Sequence, residues 1–155
     1  MPAFPAMKPV RLLALSALAC LAPGLSAAQD AGAPEALELA VRGAAIRAET
    51  AASPEELRRG LMGRRSLCEN CGMLFLFPRP AGWCMWMRGT LIPLSVAFIS
   101  GRGEVIALEE MEPGSDALHC SPAPAAYGLE ADPGWFRRNE IGPGDRVSGL
   151  PDPRL

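Results

Sequence analysis

"GMLFLF", residues 72–77, puts five large apolar side chains in a row, and the reading of this stretch decides the fold. Successive side chains of a strand point to opposite faces. An unbroken apolar run of this length is therefore a strand covered on both sides, whereas a strand with one face in water would alternate. The run is predicted to be a central strand. "PRPAG" (78–82) follows as a turn, and "WCMWMR" (83–88) is predicted to return beside it as the second arm of a hairpin.

Upstream, "LELAVRGAAIRAET" (37–50) divides into two short strands around Arg42–Gly43. "SPEELRRGLMGR" (53–64) then carries the signals of a helix start. Ser53 stands at the cap, Pro54 at the first helical position, and Glu56 completes a capping box. Leu57 and Leu61 share a face, and Gly60 and Gly63 end the element near residue 62, which predicts one short helix over 54–62. Downstream, "LIPLSVAFIS" (91–100) and "EVIALEEM" (104–111) flank "GRG" (101–103) as a hairpin. A long irregular loop follows. "AYGLEA" (126–131) is then another strand, "DPGWFRRNE" (132–140) a single helical turn capped by Asp132, and "GPGDRVSG" (142–149) a turn into a closing strand. Many short strands and one clear helix predict a mainly β single domain, a β-sandwich or a small, partly closed barrel.

The N-terminus reads as an export signal. Lys8 and Arg11 precede the apolar "LLALSALACLA", and "LSAAQD" offers small residues before a cut after Ala28. The apolar segment falls short of the roughly 20 residues of a permanent membrane anchor. Acylation at Cys20 is the alternative, but "ALAC" lacks the favoured Leu three positions earlier. The expected organisation is a signal peptide over 1–28, a flexible lead over 29–36, one domain over 37–150 and a tail over 151–155, located in the periplasm or outside the cell. Without Lys8 and Arg11, thirteen basic residues, all Arg, face seventeen acidic ones, for a net charge of −4. They form no basic stripe, so nucleic acid is not an expected partner.

Four cysteines follow the signal: Cys68, Cys71, Cys84 and Cys120. A redox Cys-x-x-Cys sits at a helix N-terminus, where the thiolate is stabilised. Here the pair precedes a strand and brackets Glu69. A zinc site would use the four cysteines with His119, and the Met-rich "CMWM" together with Met73 and Met111 suits copper. Against both, an oxidising compartment favours disulfides, and Met beside aromatic residues is ordinary core filling. Within the predicted hairpin, Cys84 lies opposite Phe77 and Cys71 about 20 Å further along, too far for a bond that needs Cα atoms within about 7 Å. Cys68–Cys71 with Cys84–Cys120, or Cys68–Cys84 with Cys71–Cys120, remain; the first avoids the long reach.

Together, "RGLMGRRSL", "GMLFLFPRP", "MWMRGTLIPLSVAFIS", "GEVIALEEMEP", "YGLEA" and "IGPGDRV" resemble, in order and spacing, the bacterial and archaeal family called domain of unknown function 192, over about residues 39–147. The resemblance implies a compact, predominantly β domain and no established activity. The chain departs from the family pattern at Arg88–Gly89, where Lys-Asn is common, at Ser95, where Asp is common, and at the Cys68–Cys71 pair. The missing Asp weakens hydrolase chemistry. One histidine and no Gly-x-Ser-x-Gly argue against a Ser–His triad.

The expectation is a non-catalytic ligand- or partner-binding module of the cell envelope without a cofactor, its candidate residues being Trp86, Arg88, Thr90, Glu109, Tyr127 and Glu130. Arg88 is expected to pair with Glu130 at a cleft edge. The alternatives are a zinc or copper protein and an enzyme acting on envelope polymers through Glu109, Glu112 or Glu130.

Overall fold

The computed structural model of this chain describes residues 36–153; the expected signal segment, nearly all of the lead and the last two residues lie outside them. The chain starts with the expected pair of strands, β1 (Ala36–Val41) and β2 (Ala44–Ala51), in antiparallel register. Their two-residue loop has φ of 50° at Arg42 and 85° at Gly43. Positive φ at both positions gives the tight hairpin whose twist matches the strands, and Gly43 adopts it without a Cβ clash. Next comes α1 (Pro54–Arg59), with both bonds of the capping box in place. The Glu56 carboxylate accepts the backbone N–H groups of Ser53 and Ala52 and is held down at about 2.

The decisive run forms β3 (Cys71–Ala81), buried from Gly72 to Phe77 as its composition requires. Its neighbours differ from the expected ones. β3 pairs in parallel with β2 and antiparallel with β8 (Ala125–Ala131), and makes no hairpin with "WCMWMR". Only Cys84–Met85 of that segment is strand (β4), and it pairs with β7 (His119–Cys120) in a separate two-stranded ribbon. The large sheet is completed by β5 (Leu94–Ile99), β6 (Val105–Met111) and β9 (Val147–Ser148), in the order β6-β5-β8-β3-β2-β1-β9. Its two outermost strands meet at one end. Val105 donates to the Asp145 carbonyl, Val147 to that of Gly103, and Glu104 bridges Arg146. The sheet is thus a partly closed barrel, the second of the two expected architectures.

Alternation along the strands produces two cores. Leu39, Ile46, Leu74, Ala97, Ile99, Tyr127 and Leu129 face the barrel interior with Trp135 and Phe136 from α2 (Trp135–Arg138). Met73, Phe75, Phe77, Val96 and Phe98 face outward, under Leu61 beside α1 and Met85 and Met87 from the β4 segment. Asp132 does not cap α2. Its carbonyl accepts from the Trp135 N–H through a turn over Pro133–Gly134, which delays the helix, and its carboxylate pairs with Arg138 at 3.1 Å. The Trp135 indole donates to Asn70 Oδ1 at 3.0 Å, so the interior aromatic is tied to the loop between Cys68 and Cys71.

The disulfides are Cys68–Cys71 and Cys84–Cys120, with Cα separations of 5.2 and 4.0 Å. This is the preferred pairing, but Cys84 stands opposite Cys120 and not, as expected, opposite Phe77. The Cys84–Cys120 bond closes 36 residues of sequence and locks the β4–β7 ribbon. Replacing both of its cysteines by Ser is expected to lower stability by about 4 kcal/mol, and the same change at Cys68 and Cys71 by about 2, following loop-closure entropy. Urea unfolding midpoints of the two double variants give the ranking directly.

Candidate functional site

β8 lies between β5 and β3, and its outward residues Gly128 and Glu130 face the second core. Glu130 pairs in register with Met73 on one side and Val96 on the other, both apolar and buried. A carboxyl group here is surrounded by hydrocarbon, and only 4 % of the residue is exposed. Burial pushes its pKa up to about 8, with no hydrogen bond or neighbouring charge to offset it. Among the described residues, no fully buried side-chain polar atom lacks a partner. The unpartnered carboxyl of Glu130 therefore opens onto free space, a cavity of about 210 Å³.

Each wall of the cavity has a local cause. Phe75 and Phe77 form its sheet side, and Trp83 stacks on Phe77 with centroids 5.0 Å apart while its indole N–H bonds to the Arg79 carbonyl. Leu57, Leu61 and Met62 come down from α1 and its exit. That helix ends at Gly60, where φ is 44° and a Cβ would press on the Phe75 ring at 2.9 Å, so only glycine lets it end this close to the sheet. The opposite wall is the segment 84–90, whose alternation buries Met85 and Met87 and turns Trp86 and Arg88 outward. Gly63 donates to the Gly89 carbonyl, joining the two walls. Buried Thr90 is the second polar residue of the lining inside the mouth, and Arg58, Arg59 and Arg88 form the exposed rim.

The structure thus gathers Trp86, Arg88, Thr90 and Glu130 around one cavity. The expected Arg88–Glu130 pair does not form. Arg88 Nε donates to Asp116 at 2.8 Å in an exposed bridge, because the β4–β7 register brings residue 116 across from it, while Glu130 stays on the floor. Trp86 is 41 % exposed, and the Arg88 guanidinium lies 5.2 Å from its ring centre. Tyr127 is on the other face of β8, in the barrel interior, and donates its hydroxyl to the Pro151 carbonyl at 2.6 Å. Glu109 is on β6, 3.6 Å from His119 Nδ1, and Glu112 is an exposed turn residue; neither lines the cavity. Ser95 also faces away from Glu130. It donates to Glu110 and accepts from the Gly134 N–H, so an acid at that position would stand at the far side of the sheet.

The metal alternative meets a different arrangement. All four cysteine sulfurs are engaged in disulfides, His119 stands beside Glu109, and no group of three His, Cys, Asp or Glu among the described residues could hold an ion. The lining residues missed in the sequence are the apolar Phe75, Phe77, Trp83 and Met85, whose type marks only core, and those of α1 and its exit. The capping box located the helix, but nothing in it told which face of the sheet the helix covers.

An acid with a raised native pKa keeps its proton where the unfolded chain has lost it. Stability linked to Glu130 is therefore complete below the unfolded value of 4.5 and falls as pH rises toward about 8. The slope is at most about 1.4 kcal/mol per pH unit. Glu130→Gln should remove this component, so the variant gains on the parent steadily between these two pH values. Parallel urea midpoints for the two proteins across that range would refute the burial of the charge.

A family model and solved structures match this chain. The model of DUF192, described as an uncharacterized ACR, matches residues 37–149. A protein of Sinorhizobium meliloti 1021, crystallised as a candidate transcription regulator, is 32% identical, with a TM-score of 0.72 over 76% of this chain and 96% of that one. A protein of unknown function from Novosphingobium aromaticivorans DSM 12444 is 29% identical, with a TM-score of 0.71 over 81% and 99%. No curated protein matches. With the fold, the motifs and the matched span in agreement, the chain belongs to the DUF192 family.

Proposed function

We propose that this protein is a non-catalytic binding module of the cell envelope, which takes a small ligand into the cavity beneath α1. The observation that carries the reading is the carboxyl of Glu130, which opens onto the floor of an aromatic cavity with no hydrogen-bond partner among the described residues. Polar groups in such a place normally make hydrogen bonds, and the polar head of a ligand in the cavity is suited to this one. A protonated carboxyl can both donate and accept, so with the Thr90 hydroxyl it suits a neutral head such as a hydroxyl or carbonyl.

The dimensions and polarity narrow the class. At about 210 Å³ the cavity is below the roughly 300–1,000 Å³ of drug-sized sites, which fits one ring or one short side chain. A sugar ring is disfavoured, since most of its hydroxyls would be buried against Phe75, Phe77 and Trp83 without partners. Chemistry on envelope polymers finds less support than binding. Glycoside hydrolysis takes two carboxyl groups about 5–10 Å apart, and Glu130 is the single acid of this lining. Export is supported by the signal-like N-terminus and by two disulfides, which persist in oxidising compartments. No helix among the described residues is long and apolar enough to cross a membrane.

Two matched compounds test the reading. para-Methylbenzyl alcohol carries a ring and a hydroxyl head, and para-xylene the ring alone. The alcohol is expected to raise the melting temperature with the logarithm of its concentration once that exceeds the dissociation constant, and to change the fluorescence of Trp83 and Trp86. Glu130→Leu should weaken the alcohol about tenfold, the worth of one buried hydrogen bond, while xylene binds as well as before. Absence of any response to either compound in the parent protein would overturn the proposal.

A further inference from the structure

The rim of the cavity holds more cationic donors than the protein uses. Arg58 makes no ion pair or hydrogen bond through its side chain among the described residues, and Arg59 has only Glu55 at 4.0 Å. Arg88 commits Nε to Asp116 and lies over Trp86, and its two terminal nitrogens have no acceptor among the described residues. The lining contains three arginines and a single acid, and that acid sits on the floor under hydrocarbon. A lone surface arginine is ordinarily just solvated. Three at one mouth, above an aromatic slot with a hydrogen-bonding end, form a graded site: neutral and polar at the bottom, apolar in the middle, cationic at the top.

Building on the binding role proposed above, we infer that the ligand is an anion: a small ring or short chain whose oxyanion, a carboxylate or a phosphate, is held by the arginine rim, with a neutral hydroxyl or carbonyl at the opposite end on Glu130 and Thr90. The planar guanidinium matches both oxyanions through paired N–H donors. The stacking of Arg88 on Trp86 holds one such fork at the mouth. A cationic ligand, by contrast, would have to pass the same three guanidinium groups, which Asp116 and Glu55 offset only in part. The vestibule therefore selects by sign before the cavity selects by shape.

Three para-substituted benzyl alcohols share ring and head and differ only at the far end: para-hydroxymethylbenzoate (anion), para-methylbenzyl alcohol (neutral) and para-aminomethylbenzyl alcohol (cation). Calorimetric titration of the full exported protein at low salt is expected to rank them anion, neutral, cation, with the benzoate about tenfold tighter than the neutral alcohol, as a charge-assisted hydrogen bond provides. Raising salt should narrow that gap by screening. Arg58→Gln, at an exposed position without a partner, should narrow it too, and Arg58→Gln with Arg88→Gln should close it. para-Hydroxymethylphenyl phosphate in place of the benzoate tells which oxyanion the rim prefers. Equal affinities for benzoate and neutral alcohol, or a preference for the amine, overturn the anion and leave the binding role intact. If none of the compounds binds, both inferences fall together.

Discussion

Every residue of β8 is buried, and the strand is flanked by β3 and β5, which are apolar on both faces as well. This three-strand slab cannot stand in water on either side. The interior side is solved by curling the sheet and inserting Trp135 and Phe136. Among the described residues the outer side has no second sheet of comparable size to cover it, and it is roofed by a six-residue helix and a ribbon held by a disulfide. Small elements with large side chains cover a flat apolar surface imperfectly, since close packing needs matched shapes on both sides. The gap that remains is the cavity, and it lies over the one place where β8 carries an acid.

A carboxyl in that position stays compatible with the fold by holding its proton. The same desolvation that raises its pKa strengthens any hydrogen bond a guest would make to it. Fold and site are therefore set by one feature of the sheet. The family relationship does not identify the guest, because folds host many functions and the residues around a cavity decide which.

Much of the architecture is legible in the sequence because its signals are local. The turn at Arg42–Gly43, the capping box of Ser53 and Glu56, and the β5–β6 hairpin around residues 101–103 depend on neighbours within a few positions. The mispredicted neighbour of β3 shows where such reasoning stops. "GMLFLF" announces two buried faces but not which strands lie at its edges, and its partner β8 arrives some fifty residues later. The expected pairing of Arg88 with Glu130 rests on a sound physical ground, a charge seeking a charge. The register of the β4–β7 ribbon gives Arg88 to Asp116 instead. Tyr127 and Glu130 are three apart on one strand and must face opposite sides, a parity argument available from the sequence once both lie in "YGLE". The cavity was not available there at all. It exists because of how α1 lies on the sheet, a tertiary choice without a local signature.

The meeting of β6 with β9 at one end of the barrel has a meaning for the protein's behaviour in a crowded compartment. An unpaired edge strand is a template on which another chain can grow by backbone hydrogen bonding. Here the two outermost strands satisfy each other around residues 103–105 and 145–147. Among the described residues, the far half of β6, which bears Glu109 and Glu110 with Glu112 just beyond, has no strand partner on its outer side, and β9 pairs β1 only at Ala40 and Val41. A second copy approaching this edge meets identical carboxylates, and like charges opposed across a strand pair are unfavourable. The short closing strand β9 occupies backbone groups of both outer strands at once, and trimming the chain before Val147 would leave those groups of β1 and of the 103–105 segment open to another chain.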